Sequence, residues 1–347
     1  MYRLWVFLIV LSCYFTSLAQ SCKVLFIGNS YTYVNNLPEL VSSIYGASGD
    51  GFEYAMSAPG GCTFQQHCTI SLPYIQQGDW DYVVLQEQSQ LPSFPDAQFM
   101  QVSYPYAAEL CELIRQYNPQ AKIFFYMTWG RKNGDAQNCP YFPPLCTYEG
   151  MDSLLHARYM LMAEDNHTCV SPVGAVWHYV RHHYPEIELY QSDESHPAYL
   201  GSYIAACCFY SLFTGRNPLN ITWNGTLGDD MANMAKTAVY NVLYDSLSNW
   251  CFSTDSILDD STSVSTFPSL TFSLYPNPAS NQIHIHASGL TESASVSIMD
   301  MRGNMVYHQT ALSADEVLDI SFLNNGFYLI SVIEGLQRHT KILNVIH

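Results

Sequence analysis

The sequence predicts an α/β domain built on a parallel sheet, followed by a small all-β module, and three observations predict it. From Lys23 to about Trp250, apolar runs of strand length alternate with longer stretches of helical periodicity, the pattern of a parallel sheet covered by helices on both faces. Between Ser253 and Ser269 the composition turns to Ser, Thr and Asp with few large apolar groups, as in a flexible linker. Beyond it, short runs alternate apolar with polar residues between turn residues, as in a β-sandwich. The chain divides accordingly into a leader over 1–19, an α/β domain over 20–252, a linker over 253–269 and a β-sandwich over 270–347.

The leader has one early cation, Arg3, an apolar stretch from Leu4 to Val10 that extends to Phe15, and small residues Ser17 and Ala19 spaced for cleavage. That is the pattern of a secretory signal peptide, too short in its apolar part to span a bilayer. No transmembrane segment is then expected after its removal. The first strand, Val24 to Ile27, reads as buried on both faces and stops at Gly28, where a glycine permits a sharp turn. A helix opens near Pro38, and Phe52 to Met56 is a second short strand. Tyr82 to Leu85 precedes a helix from about Val102 to Tyr117, and Lys122 to Met127 precedes one from about Met151 to Ala163. Cys169 to Val173 leads into a helix through Tyr184, Pro197 to Phe213 forms a late helix, and Asp229 to Leu247 the last. In the tail, Gln282 to Ala287, Ser295 to Met299 and Phe327 to Ile333 read as strands, with turns at Arg302-Gly303-Asn304 and Asn324-Asn325-Gly326.

A formal charge of −17, from 13 Lys plus Arg against 30 Asp plus Glu, argues against nucleic acid and anionic membrane surfaces as partners. A neutral or weakly charged substrate fits better. Of 11 cysteines, Cys13 lies in the leader; the even number remaining in an exported chain suggests disulfides. Cys62 with Cys68, and Cys139 with Cys146, are the expected local pairs. No Cys-x-x-Cys occurs, which disfavours a zinc ribbon or a thioredoxin-type site.

Ser30, in Gly28-Asn29-Ser30, is the candidate nucleophile, because backbone N–H groups at a strand-to-helix turn can meet a developing oxyanion. Alone, Gly-Asn-Ser is ordinary turn chemistry. A serine needs a base, and the base a third group to hold its tautomer. Asp193-Glu194-Ser195-His196-Pro197 supplies both: in a tight loop Asp193 reaches Nδ1 of His196 while Nε2 faces Ser30. Trp129 and Arg131, after the fourth strand at the ligand-binding edge of such sheets, are candidates to line a substrate cleft. His178, His182 and His183 have helical spacing open to metal binding but no supporting carboxylate motif, and read as surface histidines.

Gly28-Asn29-Ser30, Gly61-Cys62-Thr63 after the second strand, a polar cluster after the third, and Asp193-x-x-His196-Pro197 resemble, in order and spacing, the SGNH (GDSL-like) hydrolase family over about residues 23–214. The resemblance implies a flavodoxin-like three-layer α/β/α fold, Ser30 as nucleophile, His196 as base, Asp193 as its orienter, and backbone N–H groups of Ser30 and Gly61 in the oxyanion hole, with no cofactor. Where the family has Gly-x-Asn-Asp, this chain reads Gln86-Glu87-Gln88-Ser89-Gln90. A Gln amide can donate the bond that the Asn would, and Gln88 and Gln86 rank above Gln90 for it. The tail, with Leu274-Tyr275-Pro276-Asn277-Pro278-Ala279, Ile298-Met299-Asp300-Met301-Arg302-Gly303 and Gly326-Phe327-Tyr328-Leu329-Ile330 followed by Lys341-Ile342-Leu343, resembles the type A sorting domain of the Bacteroidetes type IX secretion system. It implies that machinery as a partner and a secreted or surface-attached product. The expected activity is hydrolysis of an ester, an O-acetyl group on carbohydrate being the preferred substrate. The alternatives are a surface carbohydrate-binding protein on the same fold, and a lipase or thioesterase.

Overall fold

The computed structural model describes residues 21–252, 271–288, 294–300, 305–334 and 337–347; the expected leader, the linker and the Arg302-Gly303-Asn304 turn lie outside them. Strands β1 (Cys22–Ile27), β2 (Phe52–Ser57), β3 (Tyr82–Leu85), β4 (Lys122–Tyr126) and β5 (Cys169–Ser171) form a five-stranded sheet in the order β2-β1-β3-β4-β5, with every neighbouring pair parallel. The chain runs outward from β1 to β2 and then returns past β1 to β3. At such a reversal the connections leave the strand ends in opposite directions, so a crevice opens above the C-terminal ends of β1 and β3.

Helices α1 (Ser30–Tyr33) and α2 (Leu37–Ala47) follow β1, and α3 (Phe64–Ile70) and α4 (Leu72–Ile75) follow β2. Next come α5 (Asp96–Val102) and α6 (Tyr104–Tyr117) after β3, α7 (Tyr148–Asp165) after β4, and α8 (Val173–His183), α9 (Tyr199–Thr214) and α10 (Asp229–Val242) after β5. Helix α2 packs against α9, and α3 against α6. The helix expected from about Val102 to Tyr117 is α6, and a separate helix that the sequence did not suggest, α5, precedes it. Pro105 has no N–H and cannot continue a preceding helix, so α5 stops at Val102 and α6 restarts with Pro105 in its first turn. The α-helix expected to reach Leu247 ends at Val242 and continues as a 3-10 segment, Tyr244–Trp250.

The core forms where Val24–Ile27 of β1, Val83–Leu85 of β3 and Phe124–Tyr126 of β4 meet the helices. Helix α9 is apolar around its whole circumference and is buried from Leu200 to Phe213, with α2, α8 and α10 packed about it. Its Cys207 and Cys208 act as small apolar side chains, and Gly215 ends it in the left-handed conformation. Cys139 and Cys146 are bonded as expected, whereas Cys62 and Cys68 are free. Cys68 sits on α3, whose N-terminus is fixed just after Cys62 by a capping box of Thr63 and Gln66, so the two thiols belong to the turn before the helix and to its second turn. A bridge that the spacing did not suggest joins Cys169 of β5 to Cys251. There Cys251 pairs antiparallel with Cys169, and Phe252 N–H donates to Thr168 O at 3.0 Å.

The C-terminal module is antiparallel throughout. Strands β6 (Thr271–Tyr275), β7 (Gln282–Ser288) and β10 (Asp315–Asp319) form one sheet in the order β10-β7-β6. In the second, β8 (Ser295–Asp300), β9 (Met305–Thr310), β11 (Gly326–Glu334) and β12 (Gln337–Val345) lie in the order β12-β11-β8-β9. Alternate residues, among them Ile283, Ile285, Val296, Ile298, Ile330 and Leu343, meet in a core of its own.

The two disulfides close loops of very different length, with separations of 82 residues for Cys169–Cys251 and 7 for Cys139–Cys146. Because the longer loop removes more freedom from the unfolded chain, Cys169→Ser with Cys251→Ser is expected to lose about 2–4 kcal/mol in guanidinium unfolding. Cys139→Ser with Cys146→Ser should lose clearly less; equal losses would show that chain entropy is not the cause.

Candidate active site

The C-terminal end of β1 turns sharply at Gly28, where no side chain fits: a Cβ would stand 2.4 Å from Thr32 Oγ1 and 2.7 Å from Gln86 Oε1. Asn29 caps α1, its Oδ1 accepting from Tyr31 N–H at 3.3 Å, and its Nδ2 donates to Cys62 O at 3.0 Å. Gln86, at the end of β3, grips the same turn. Its Oε1 accepts from Asn29 N–H and Thr32 Oγ1, both at 2.9 Å, while its Nε2 donates to Asn29 Oδ1 at 3.0 Å and to Glu87 O. Ser30 is thereby presented as the first residue of α1, with no acceptor bonded to its N–H among the described residues.

The segment 191–197 brings the partners. Gln191 N–H donates to His196 O at 2.8 Å, closing a tight loop. Asp193 accepts from its own loop, with Oδ1 taking Ser195 N–H at 3.1 Å and His196 N–H at 2.9 Å, while Oδ2 takes His196 Nδ1. His196 Nε2 lies 2.8 Å from Ser30 Oγ. Nδ1–H is therefore fixed toward the carboxylate, and Nε2 is the nitrogen left to accept from the serine. Partial desolvation raises the Asp193 pKa, but the hydrogen bonds from His196 and the two backbone N–H groups outweigh it and hold the carboxyl below its ordinary range. The site is open: the side chains of His196 and Asp193 are 31% and 46% exposed.

Under the loop lies an aromatic stack. Tyr31 lies flat on Trp129 with ring centroids 4.7 Å apart, and Trp129 on Trp177 at 3.7 Å. Tyr31 meets the His196 ring edge-on at 5.5 Å, and its hydroxyl is 2.7 Å from Ser195 Oγ. Trp129 Nε1 donates to Ser195 O at 3.1 Å. Trp129 is fully buried, so it braces the histidine loop from below and lines no cleft, a correction to the sequence reading. Arg131, 26% exposed, keeps some access to solvent but spends Nη1 on Asp135 at 3.1 Å. Farther off, His178 meets Asp152 at 3.1 Å, and His182 and His183 are exposed in the last turn of α8.

Of the expected oxyanion donors, Gly61 lies exposed with φ at +68° and open space where a Cβ would be, in the turn that Cys62 N–H closes onto Pro59 O. Gln86 is withdrawn: it is fully buried and both amide hydrogens are committed to Asn29 and Glu87. Gln88 is half-buried, and its Oε1 accepts from the N–H groups of Gln90 and Leu91 at 2.8 and 3.3 Å, which leaves its Nε2 as the donor.

Two buried ionisable groups that sequence reasoning missed hold this floor. Glu87 Oε1 accepts from Phe64 N–H at 2.8 Å and Gln88 N–H at 2.7 Å, and Oε2 from Ser103 Oγ at 2.6 Å, tying the loop after β3 to α3 and α6. Desolvation pushes its pKa up to about 7, against hydrogen bonds that would lower it. His67 Nε2 reaches Gly28 O at 2.8 Å and Nδ1 reaches Ser71 Oγ at 2.6 Å; burial pushes its pKa down to about 4. Neutral, it can donate from Nε2 to the carbonyl beside the nucleophile turn. Neither has a signal in the sequence: Glu87 stands in the polar run Gln86 to Gln90, and His67 in Gln65-Gln66-His67-Cys68-Thr69.

Residues 273–345 match the model of a secretion system C-terminal sorting domain. The chain thus carries the address of type IX secretion, which delivers proteins to the cell surface or the extracellular space. A DUF4886 family protein from Bacteroides uniformis shares the fold, with 17% identity and a TM-score of 0.56, over 66% of this chain and 95% of that one. A GDSL-like lipase from Parabacteroides merdae is similar at 13% identity and a TM-score of 0.43, over 55% and 95%. An acetylxylan esterase from Geobacillus stearothermophilus is similar at 21% identity and a TM-score of 0.40, over 55% and 94%. No curated protein matches the chain.

The two buried groups pull stability in opposite directions with pH. Glu87, raised from 4.5, stabilises the fold fully below about pH 4.5 and loses that contribution as pH rises through about 7. His67, lowered from 6.5, contributes fully above about pH 6.5 and loses it as pH falls toward about 4. At about 1.4 kcal/mol per pH unit each is worth on the order of 3 kcal/mol, so together they nearly cancel over this range. Glu87→Gln can accept from Phe64 and Gln88 and donate to Ser103, so at pH 8.5 it is expected to exceed the wild type by a few kcal/mol in urea unfolding, and at pH 4.5 to match it. Lower stability of the variant at pH 8.5 would refute the cost assigned to the ionised carboxylate.

Proposed function

We propose that this chain is an exported serine esterase that works through an acyl-enzyme and removes O-acetyl groups from carbohydrate. The observation that carries the reading is the hydrogen-bonded line from Ser30 Oγ through the His196 imidazole to Asp193, beside the sheet's reversal point. His196 Nε2 takes the proton as Ser30 Oγ attacks the ester carbonyl, and Asp193 stabilises the resulting imidazolium. The carbonyl oxygen, now anionic, is met by the N–H groups of Ser30 and Gly61 and by Gln88 Nε2. Collapse expels the alcohol, which takes the proton from His196. Water then attacks the acyl-enzyme with His196 again as base and releases the acid. The preference for a polymer-borne acetyl group is supported by the exposure of the His196 and Asp193 side chains and by the export address.

The test is hydrolysis of p-nitrophenyl acetate and of an acetylated polysaccharide by the exported chain. Ser30→Ala and His196→Ala are each expected to lower kcat by about 10³-fold or more, and Asp193→Asn by about 10²–10⁴-fold. A folded wild type that turns over neither ester, yet binds a glycan, would replace the esterase by a carbohydrate-binding protein.

A further inference from the structure

We propose that Asp135 is a positioning residue for the oxyanion hole, acting through Gln90 to aim the Gln88 amide; this rests on the esterase reading above. The orientation of both amides follows from their partners. Two backbone N–H groups, of Gln90 and Leu91, face one terminal atom of Gln88, so that atom is the oxygen and the other is Nε2. The Asp135 carboxylate faces one terminal atom of Gln90 at 2.6 Å, so that atom is Nε2, and Gln90 Oε1 is turned back to accept from Gln88 Nε2 at 3.2 Å. A carboxylate, an amide and a second amide thus stand in line, each fixing the next. One hydrogen of Gln88 Nε2 is held by Gln90, and the remaining hydrogen has a set direction to offer an oxyanion.

Asp135 is suited to anchor that line because it cannot itself move. It is fully buried and also accepts from Asn138 Nδ2 at 2.7 Å, Gln137 N–H at 3.2 Å and Arg131 Nη1 at 3.1 Å. Burial would raise its pKa, but these donors reverse that and keep it ionised. Its backbone is held too: its N–H donates to Leu145 O at 2.7 Å and its carbonyl accepts from Cys139 N–H at 2.8 Å. Cys139 is half of the Cys139–Cys146 disulfide and Leu145 precedes its other half, so the covalently closed loop holds the Asp135 backbone at both its N–H and its carbonyl. Its two oxygens divide the work: Arg131 pairs with Oδ1, and Oδ2 is turned to Gln90 and Asn138.

The experiment is a double-mutant cycle in the exported chain, read as kcat and KM on p-nitrophenyl acetate with Tm as a check of folding. Gln88→Ala is expected to lower kcat by about 10²-fold, in the range of losing one oxyanion donor. Asp135→Asn should lower kcat by about 10- to 100-fold with KM within about threefold, since a misaimed donor affects the transition state more than binding. The pair combined should fall no further than Gln88→Ala alone. Gln90→Ala, at a half-exposed position that leaves Asp135 its other donors, is expected to behave as Asp135→Asn does, and stands in for it if that variant fails to fold. Additive losses with Gln88→Ala, or wild-type kcat in folded Gln90→Ala, would overturn the proposal while leaving the esterase intact. A wild type with no turnover would overturn both.

Discussion

The clasp between Gln86 and Asn29 is the constraint on which the site depends. It joins the ends of β1 and β3 at the one place in the sheet where the strand order reverses, and it does so inside the protein, where an unpaired amide would cost on the order of 1–3 kcal/mol. Every polar atom of the Gln86 side chain is used, so the end of β3 cannot shift without stranding a donor or an acceptor. Because the same Oε1 also receives Thr32, the first turn of α1 is held in the register that brings Ser30 out beside the histidine loop. Gly28 is the other half of this constraint, since the space a side chain would need is filled by the clasp.

Around this fixed point the protein places charge unevenly. Below the turn, groups that could ionise are buried where desolvation favours the neutral form, as in His67, or opposes the charged one, as in Glu87. At the rim, Asp193 and Asp135 are surrounded by donors that keep them ionised. Ser30 and His196 thus lie between a buried floor that resists charge and carboxylates that their donors hold ionised.

Much of this was legible in the chain, for reasons that can be named. Ser30, Asp193 and His196 are readable because their chemistry is local: a nucleophile after a strand-ending glycine, and an acid three residues before a histidine in a tight loop. Strands β1, β3 and β4 are readable because strands buried on both faces leave continuous apolar runs. What failed was non-local or two-faced. Trp129 looked like a cleft residue because of where its strand ends, but burying its ring between Tyr31 and Trp177 outweighed display at the surface. Cys62 and Cys68 looked paired by separation alone, but a helix capped just after Cys62 carries Cys68, and the two are free. Gln86 and Gln88 are indistinguishable by type; what separates them is which face of the strand end each occupies. Asp135 had no signal at all, since its meaning comes from Gln90, 45 positions away.

The link between Cys169 and Cys251 has a consequence for the sheet as a whole. β5 is the last strand on its side of the order, and a strand in that position presents unpaired N–H and C=O groups on which another chain can build. Cys251 and Phe252 cover part of that row with hydrogen bonds of their own, and the disulfide keeps the cover from peeling away. Because Cys251 and Phe252 precede the expected linker, the cover they provide belongs to the parallel-sheet domain and not to the sorting module. Detaching the module by a cut anywhere beyond Phe252 therefore leaves the sheet edge shielded from edge-to-edge association, by a strap fastened covalently to the strand it protects.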